Sequence, residues 1–183
     1  WMQIALAPCS PFSVTTEIMR ESARLARRED VRLHTHLAET LDEEAFCLKM
    51  FGLRTVDYLE SVGWLNDRTW LAHGIHFNED EIRRLGAAGT GICHCPVSHM
   101  RLASGMCPTR DLEAAGVPIG LGVDGSASND ASKLMYEARQ ALYLQRLKYG
   151  AEYVTPERVL GWATRGSATL IGRDDIGQIA VGK

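Results

Sequence analysis

The chain has 183 residues, 45% hydrophobic and 23% charged, with a formal net charge of -3. That balance is ordinary for a folded globular domain and leaves no basic footprint for nucleic acid or an anionic membrane; no apolar run approaches the roughly 18 residues of a membrane span. The five cysteines, at positions 9, 47, 93, 95 and 107, form no spaced disulfide framework, which points to a reducing, cytoplasmic setting.

Ile4 to Ala7 reads as a short apolar strand stopped by Pro8, and an opening on Trp1 directly before it looks cut rather than begun. Pro8-Cys9-Ser10-Pro11 reads as a loop, because two prolines remove donors and restrict their predecessors. A helix follows, with Thr15 or Thr16 as N-cap and Ile18, Met19, Ala23, Leu25 and Ala26 as its apolar face. Val31 to Glu39 begins as a strand and places two histidines and a carboxylate in its last six residues. Period two puts His34 and His36 on one face, with Glu39 just beyond.

Leu41 to Phe51 and Thr55 to Val62 are helical pieces broken near Gly52, with Gly63 as a stop. Thr69 to Ala72 is a β-type run that delivers His73-Gly74-Ile75-His76. Asn78 caps a helix whose acidic first turn suits the helix dipole and which Gly86 and Gly89 end. Thr90 to Cys95 is the next strand, and Pro96 ends it. Val97 to Pro108 reads as a loop holding Ser98, His99, Arg101 and Ser104. A short helix, Thr109 to Ala115, precedes the strand Val117 to Val123, which runs into the polar loop Asp124 to Asp130. Lys133 to Leu147 has helical spacing, and Thr155-Pro156-Glu157 opens another helix.

Strand and helix thus alternate about five times without a composition break, which implies one domain with parallel strands and crossover helices. Five units are too few to close an eight-stranded barrel. The polar residues of interest fall at the C-terminal ends of predicted strands, where such sheets and barrels place their sites. Three of these ends supply a coherent set: His36 with Glu39, His73, and Asp124. Imidazole and carboxylate suit Zn²⁺, which lowers the pKa of its water to about 7. Glu39 could exchange the proton that a hydrolysis needs, and Asp124 could both bind metal and hold the attacking water.

One histidine at a strand end is more often hydrogen-bonded or solvated than a ligand, and Asp124-Gly125 alone is more often a turn; recurrence at successive strand ends reverses that. His34 competes with His36 for the ligand role. His76 and His94 are weaker candidates, the first at a helix entrance and the second turned toward core or pocket. Cys93-His94-Cys95 lacks the second ligand pair of a structural zinc site. Ser98, His99 and Arg101 are candidate substrate contacts. The P-loop, His-Glu-x-x-His, Gly-x-Ser-x-Gly and dinucleotide motifs are absent, as is the His-x-Glu with Pro-Cys-x-x-Cys of the base deaminases.

The segments Ala7 to Pro11, His34-Thr35-His36-Leu37-Ala38-Glu39, Leu71 to Gly74, Cys93 to Ser98, Arg101 to Gly105 and Gly120 to Asp130 closely resemble the amidohydrolase superfamily, in the branch of 8-oxoguanine deaminase and hydroxyatrazine aminohydrolase. The resemblance covers nearly the whole chain and implies a (β/α)8 TIM barrel of the metal-dependent hydrolase type, of which this chain supplies strands four to eight. It implies one zinc per subunit, with iron as the other candidate, and a metal site formed by His36, Asp124 and His73. Glu39 would carry protons to the ring nitrogen, His73 would polarise the water, and Asp124 would act as base as well as ligand. The implied activity is hydrolytic deamination of an amino-substituted nitrogen heterocycle, first 8-oxoguanine, by attack of metal-bound hydroxide with loss of ammonia.

The alternatives are a hydroxy-s-triazine aminohydrolase or another amidohydrolase, such as a cyclic amidase or dehalogenase. From another class comes a non-catalytic α/β binding module. A small-molecule substrate, no nucleic-acid or membrane partner, and a homo-oligomeric complete enzyme are expected. The chain departs from the family pattern in three places. The His-x-His of the first strand is not in it, the usual asparagine after Pro-x-Ser is His99, and Ile176 to Lys183 only begins the return into a small β-sandwich. With two of four implied protein ligands missing, the isolated chain is expected to bind zinc poorly and to turn over little.

Overall fold

The alternation predicted from sequence is present in the computed structural model, which describes residues 2–181; Trp1 and the last two residues of the predicted sandwich return lie outside the described residues. Among the described residues, five strands form one parallel sheet: β1 (Ala5–Leu6), β2 (Arg32–Leu37), β3 (Thr69–His73), β4 (Gly91–His94) and β5 (Ile119–Leu121). Their spatial order equals their chain order. Parallel crossovers are right-handed as a rule, and stepping always in one direction they carry the helices onto one face, as in an arc of a (β/α) barrel; a doubly wound sheet would reverse. Burial along β2 follows: Leu33, Thr35 and Leu37 are buried, whereas Arg32, His34 and His36 on the opposite face are partly exposed.

The helices begin and end where local chemistry requires. Thr15 caps α1 (Thr16–Glu29), which buries Met19, Ala23 and Ala26 at helical spacing, and Thr40 caps α2 (Leu41–Phe51). After α3 (Thr55–Ser61), Asn78 and Glu81 form a complete capping box on α4 (Glu79–Ala88). Gly89 ends α4 in the left-handed region, but Gly86, also expected to end it, lies inside the helix. A Cβ there would stand 1.9 Å from the Ala115 carbonyl, so close approach of the backbones requires this glycine.

The stretch expected to be a loop from Val97 to Pro108 instead opens on a short helix, α5 (Pro96–Arg101), because Pro96 occupies the first turn, where its missing N–H costs nothing. Then follow α6 (Thr109–Ala114) and α7 (Leu134–Tyr149). The helix opened by Thr155, α8 (Pro156–Gly161), continues through a π-helical turn at Trp162–Gly166 into α9 (Ser167–Leu170). A single core lies between sheet and helices and includes Met19, Leu37, Leu59, Leu71, Ile92 and Leu112. Truncating one such leucine to alanine would cost about 2–5 kcal/mol.

Candidate active site

The site is built at the C-terminal ends of β2, β3 and β5. Parallel register sets His36 opposite Ala72 and Leu37 opposite His73, so the two imidazoles arrive on neighbouring strands. Their rings stack with centroids 5.3 Å apart. The Pro8–Pro11 loop fixes the first: the Cys9 carbonyl accepts the His36 backbone N–H at 3.0 Å, the Thr35 hydroxyl at 3.0 Å and His36 Nδ1–H at 2.6 Å. Donation from Nδ1 leaves Nε2 of His36 with its lone pair free.

Beyond β2 the chain turns through Ala38, whose φ is 54°, and its carbonyl accepts the N–H groups of Ile75 and His76. That turn brings Glu39 Oε2 to 3.4 Å from His73 Nε2 and Oε1 to 3.5 Å from the Ser104 hydroxyl. His73 itself has φ 76° and is 1% exposed, with Nδ1 sharing a hydrogen bond with His99 Nε2 at 3.1 Å. Asp124, at φ 60°, accepts the hydroxyls of Ser98 and Ser128. Three non-glycine residues at three strand ends therefore occupy the left-handed region, at a cost on the order of 1 kcal/mol each.

Electrostatics differ within the group. Burial, and then the Asp124 charge, raises the Glu39 carboxyl above its ordinary value, against His36 and the Ser104 hydroxyl. Asp124 goes the other way. Burial opposes its charge, but the Ser98 hydroxyl, the Gly125 N–H, His73 and the Ser128 hydroxyl together bring its carboxyl below the usual range. Burial pushes His73 down to about 4, keeping it neutral near pH 7. Such divergent pairs of titratable groups mark acid–base sites.

The ligand atoms of His36, His73 and Asp124 all lie within 4.8 Å of one another, the one group of its kind among the described residues. Two imidazoles with a depressed carboxylate fit zinc, and the free Nε2 of His36 meets the requirement for a deprotonated ligand. His34 is not in that group: its Nδ1–H donates to the Trp70 carbonyl at 3.1 Å and its ring stacks on Trp70 at 4.7 Å. His76 bonds the Ser104 carbonyl, and His94 is wholly buried beside Gln145. Cys93-His94-Cys95 forms no metal-suited group among the described residues.

Ser98 and His99, expected as substrate contacts, are fully buried and point at Asp124 and His73. Helix α5 rather than a loop carries them, which is why they face inward. Arg101 instead pairs with Asp130 at the surface. Sequence reading missed Glu137, a buried carboxylate on α7 that accepts from Val97 N–H and from the Asn129 side chain. Asn129 also donates to the Val123 carbonyl, so this network braces the strand end next to Asp124. A glutamate at a position of helical apolar spacing was the available signal.

Comparison with known proteins places the chain in a family. The sequence model of the amidohydrolase family matches residues 1–183. The chain is 80% identical over 182 residues to the 8-oxoguanine deaminase of Pseudomonas aeruginosa, covering 100% of the chain and 40% of the relative. It is 41% identical over 184 residues to the hydroxydechloroatrazine ethylaminohydrolase of Pseudomonas sp. strain ADP, covering 99% and 38%. Among solved structures, an adenosine deaminase from Xanthomonas campestris with bound zinc superposes with a TM-score of 0.94 at 35% identity, covering 98% of the chain and 41% of that protein. The chain thus spans about two fifths of the length of the relatives it matches.

Proposed function

The chain belongs to the amidohydrolase family, and from that premise we propose that the protein carrying it is a zinc-dependent deaminase of an amino-substituted nitrogen heterocycle, 8-oxoguanine first. The observation that carries the reading is the convergence of His36, His73 and Asp124 with Glu39 beside them. The 80% identity to an 8-oxoguanine deaminase supports the substrate. The reading includes one zinc per subunit and a partial barrel as a single domain, with the small sandwich outside it. Two further ligands would come from a His-x-His strand, so the 183 residues alone would hold zinc weakly. Five free thiols support a cytoplasmic setting, and exposed Tyr136, Tyr143 and Leu147 along one stripe of α7 support a homo-oligomer. No helix among the described residues is long and apolar enough to cross a membrane.

A zinc ion held by His36, Asp124 and His73 would supply a Lewis acid that brings water to a pKa of about 7. The Cys9 carbonyl keeps His36 in the ligand tautomer. Glu39, with its raised proton affinity, takes one proton of the attacking water and gives it to the ring nitrogen next to the amino-bearing carbon. Ser98 and Ser128 hold Asp124 ionised to take the proton of the new hydroxyl and pass it to the amino group. Ammonia leaves, and the water oxygen remains as the ring carbonyl. His73, kept neutral by burial, orients the water.

Ammonia release tests this. The zinc-loaded protein is expected to deaminate 8-oxoguanine faster than any hydroxy-s-triazine in a panel, and no release from any aminoheterocycle would sink the reading. The 41% identity to a triazine ethylaminohydrolase makes an aminotriazine the second reading; preference for it would move the substrate assignment and leave the site in place.

A further inference from the structure

Glu43 is a carboxylate 1% exposed, and among the described residues no lysine or arginine pairs with it. Its sequence context, Thr40-x-x-Glu43, is a capping-box signature, and Thr40 Oγ1 does accept the Glu43 N–H at 3.2 Å. The same signature on α4 closes fully: Glu81 accepts the Asn78 N–H at 2.8 Å and is paired with Arg54 at 2.9 Å. Glu43 departs on both counts. Its Oε2 reaches back past the cap to accept the Glu39 N–H at 2.9 Å. Oε1 is buried without a partner.

That N–H directly follows Ala38, the left-handed residue of the turn that carries Glu39, and Ile75 and His76 grip the same turn through the Ala38 carbonyl. We propose that Glu43 is a positioning residue for Glu39: a buried carboxylate that accepts the Glu39 backbone N–H and so aims the Glu39 side chain at the His73 side of the site. Leaving a charge under the turn is unfavourable for folding; burial pushes its carboxyl up to about 7. An ordinary cap, as Glu81 makes on α4, would have bonded the Thr40 N–H. The inference rests on the deaminase reading for the role of Glu39.

The test uses the natural zinc-loaded protein that carries this chain, with ammonia release from 8-oxoguanine. An inactive wild type counts against the deaminase reading; an active wild type lets the variants address Glu43. E43L removes the acceptor, and its kcat is expected to fall on the order of 100-fold with KM and zinc content unchanged. E43Q, whose amide oxygen still accepts, is expected to stay within about tenfold of wild type. T40A breaks only the cap and should lower the melting temperature with kcat intact. E43L at wild-type kcat, or T40A matching its loss, overturns the proposal. E43A replaces E43L if the latter does not fold. Independently of turnover, the Glu39 amide proton is expected to exchange slowly in the wild type; free exchange there also overturns the proposal.

Discussion

The two ends of the sheet treat charge in opposite ways. At the N-terminal ends of β2 and β3, Arg32, Arg68 and Arg173 line a cavity of about 630 Å³, and none of His36, Glu39, His73 or Asp124 lines it. The positive charges there are answered locally: Arg68 pairs with exposed Asp30, Arg173 with Asp175, and Arg32 bonds the Asp67 and Leu170 carbonyls. At the C-terminal ends, the imidazoles and carboxylates are braced by hydroxyls, backbone groups and one another, with Arg or Lys pairing none of His36, Glu39, His73 or Asp124 among the described residues. A cavity alone therefore does not mark the proposed site in this fold; converging titratable groups with opposed proton affinities do.

If the ends differ in this way, substitutions should separate cleanly. The largest effect is expected for His36→Ala, which should lose both zinc and turnover by metal analysis and ammonia assay. Glu39→Gln should come next, lowering kcat roughly 10²–10⁴-fold while retaining zinc. A variant at Glu39 that lost zinc would break the division between ligand and proton carrier.

A smaller effect concerns His94, behind the site. Burial holds its imidazole down at about 3, so it is neutral when folded and takes a proton when unfolded below its ordinary value of 6.5. The unfolded state then binds more protons, and stability falls as pH drops from 6.5 toward 3 by about 1.4 kcal/mol per pH unit from this group. Denaturant titrations should show a correspondingly shallower acid slope in His94→Asn. The smallest effect belongs to the other end of the sheet: Arg68→Ala breaks a pair with exposed Asp30 and should cost about 0–1 kcal/mol with turnover unchanged. A loss of turnover there would erase the contrast.

Much of this was legible in the chain. Alternation gave the parallel sheet, and period two put His34 and His36 on one face, as they are. Periodicity could not choose between those two, because the choice depends on what each Nδ1 meets across the sheet: Trp70 for His34 and the Cys9 loop for His36. Pro96–Arg101 lacks the apolar spacing that marks a helix, and its residues alone therefore hide the inward roles of Ser98 and His99. Positive φ at Ala38 leaves no trace in residue type, and at His73 and Asp124 only the weak one that histidine and aspartate enter the left-handed region more readily than most residues. Glu43 carried a capping signature that two different hydrogen-bond patterns satisfy, and only the fold selects between them.

Anomalous diffraction at the zinc absorption edge, on crystals of the zinc-loaded natural protein, tests the central claim most directly. The account predicts one peak held by His36, His73 and Asp124. A peak at Cys93 and Cys95, or among the residues lining the arginine cavity, would contradict it.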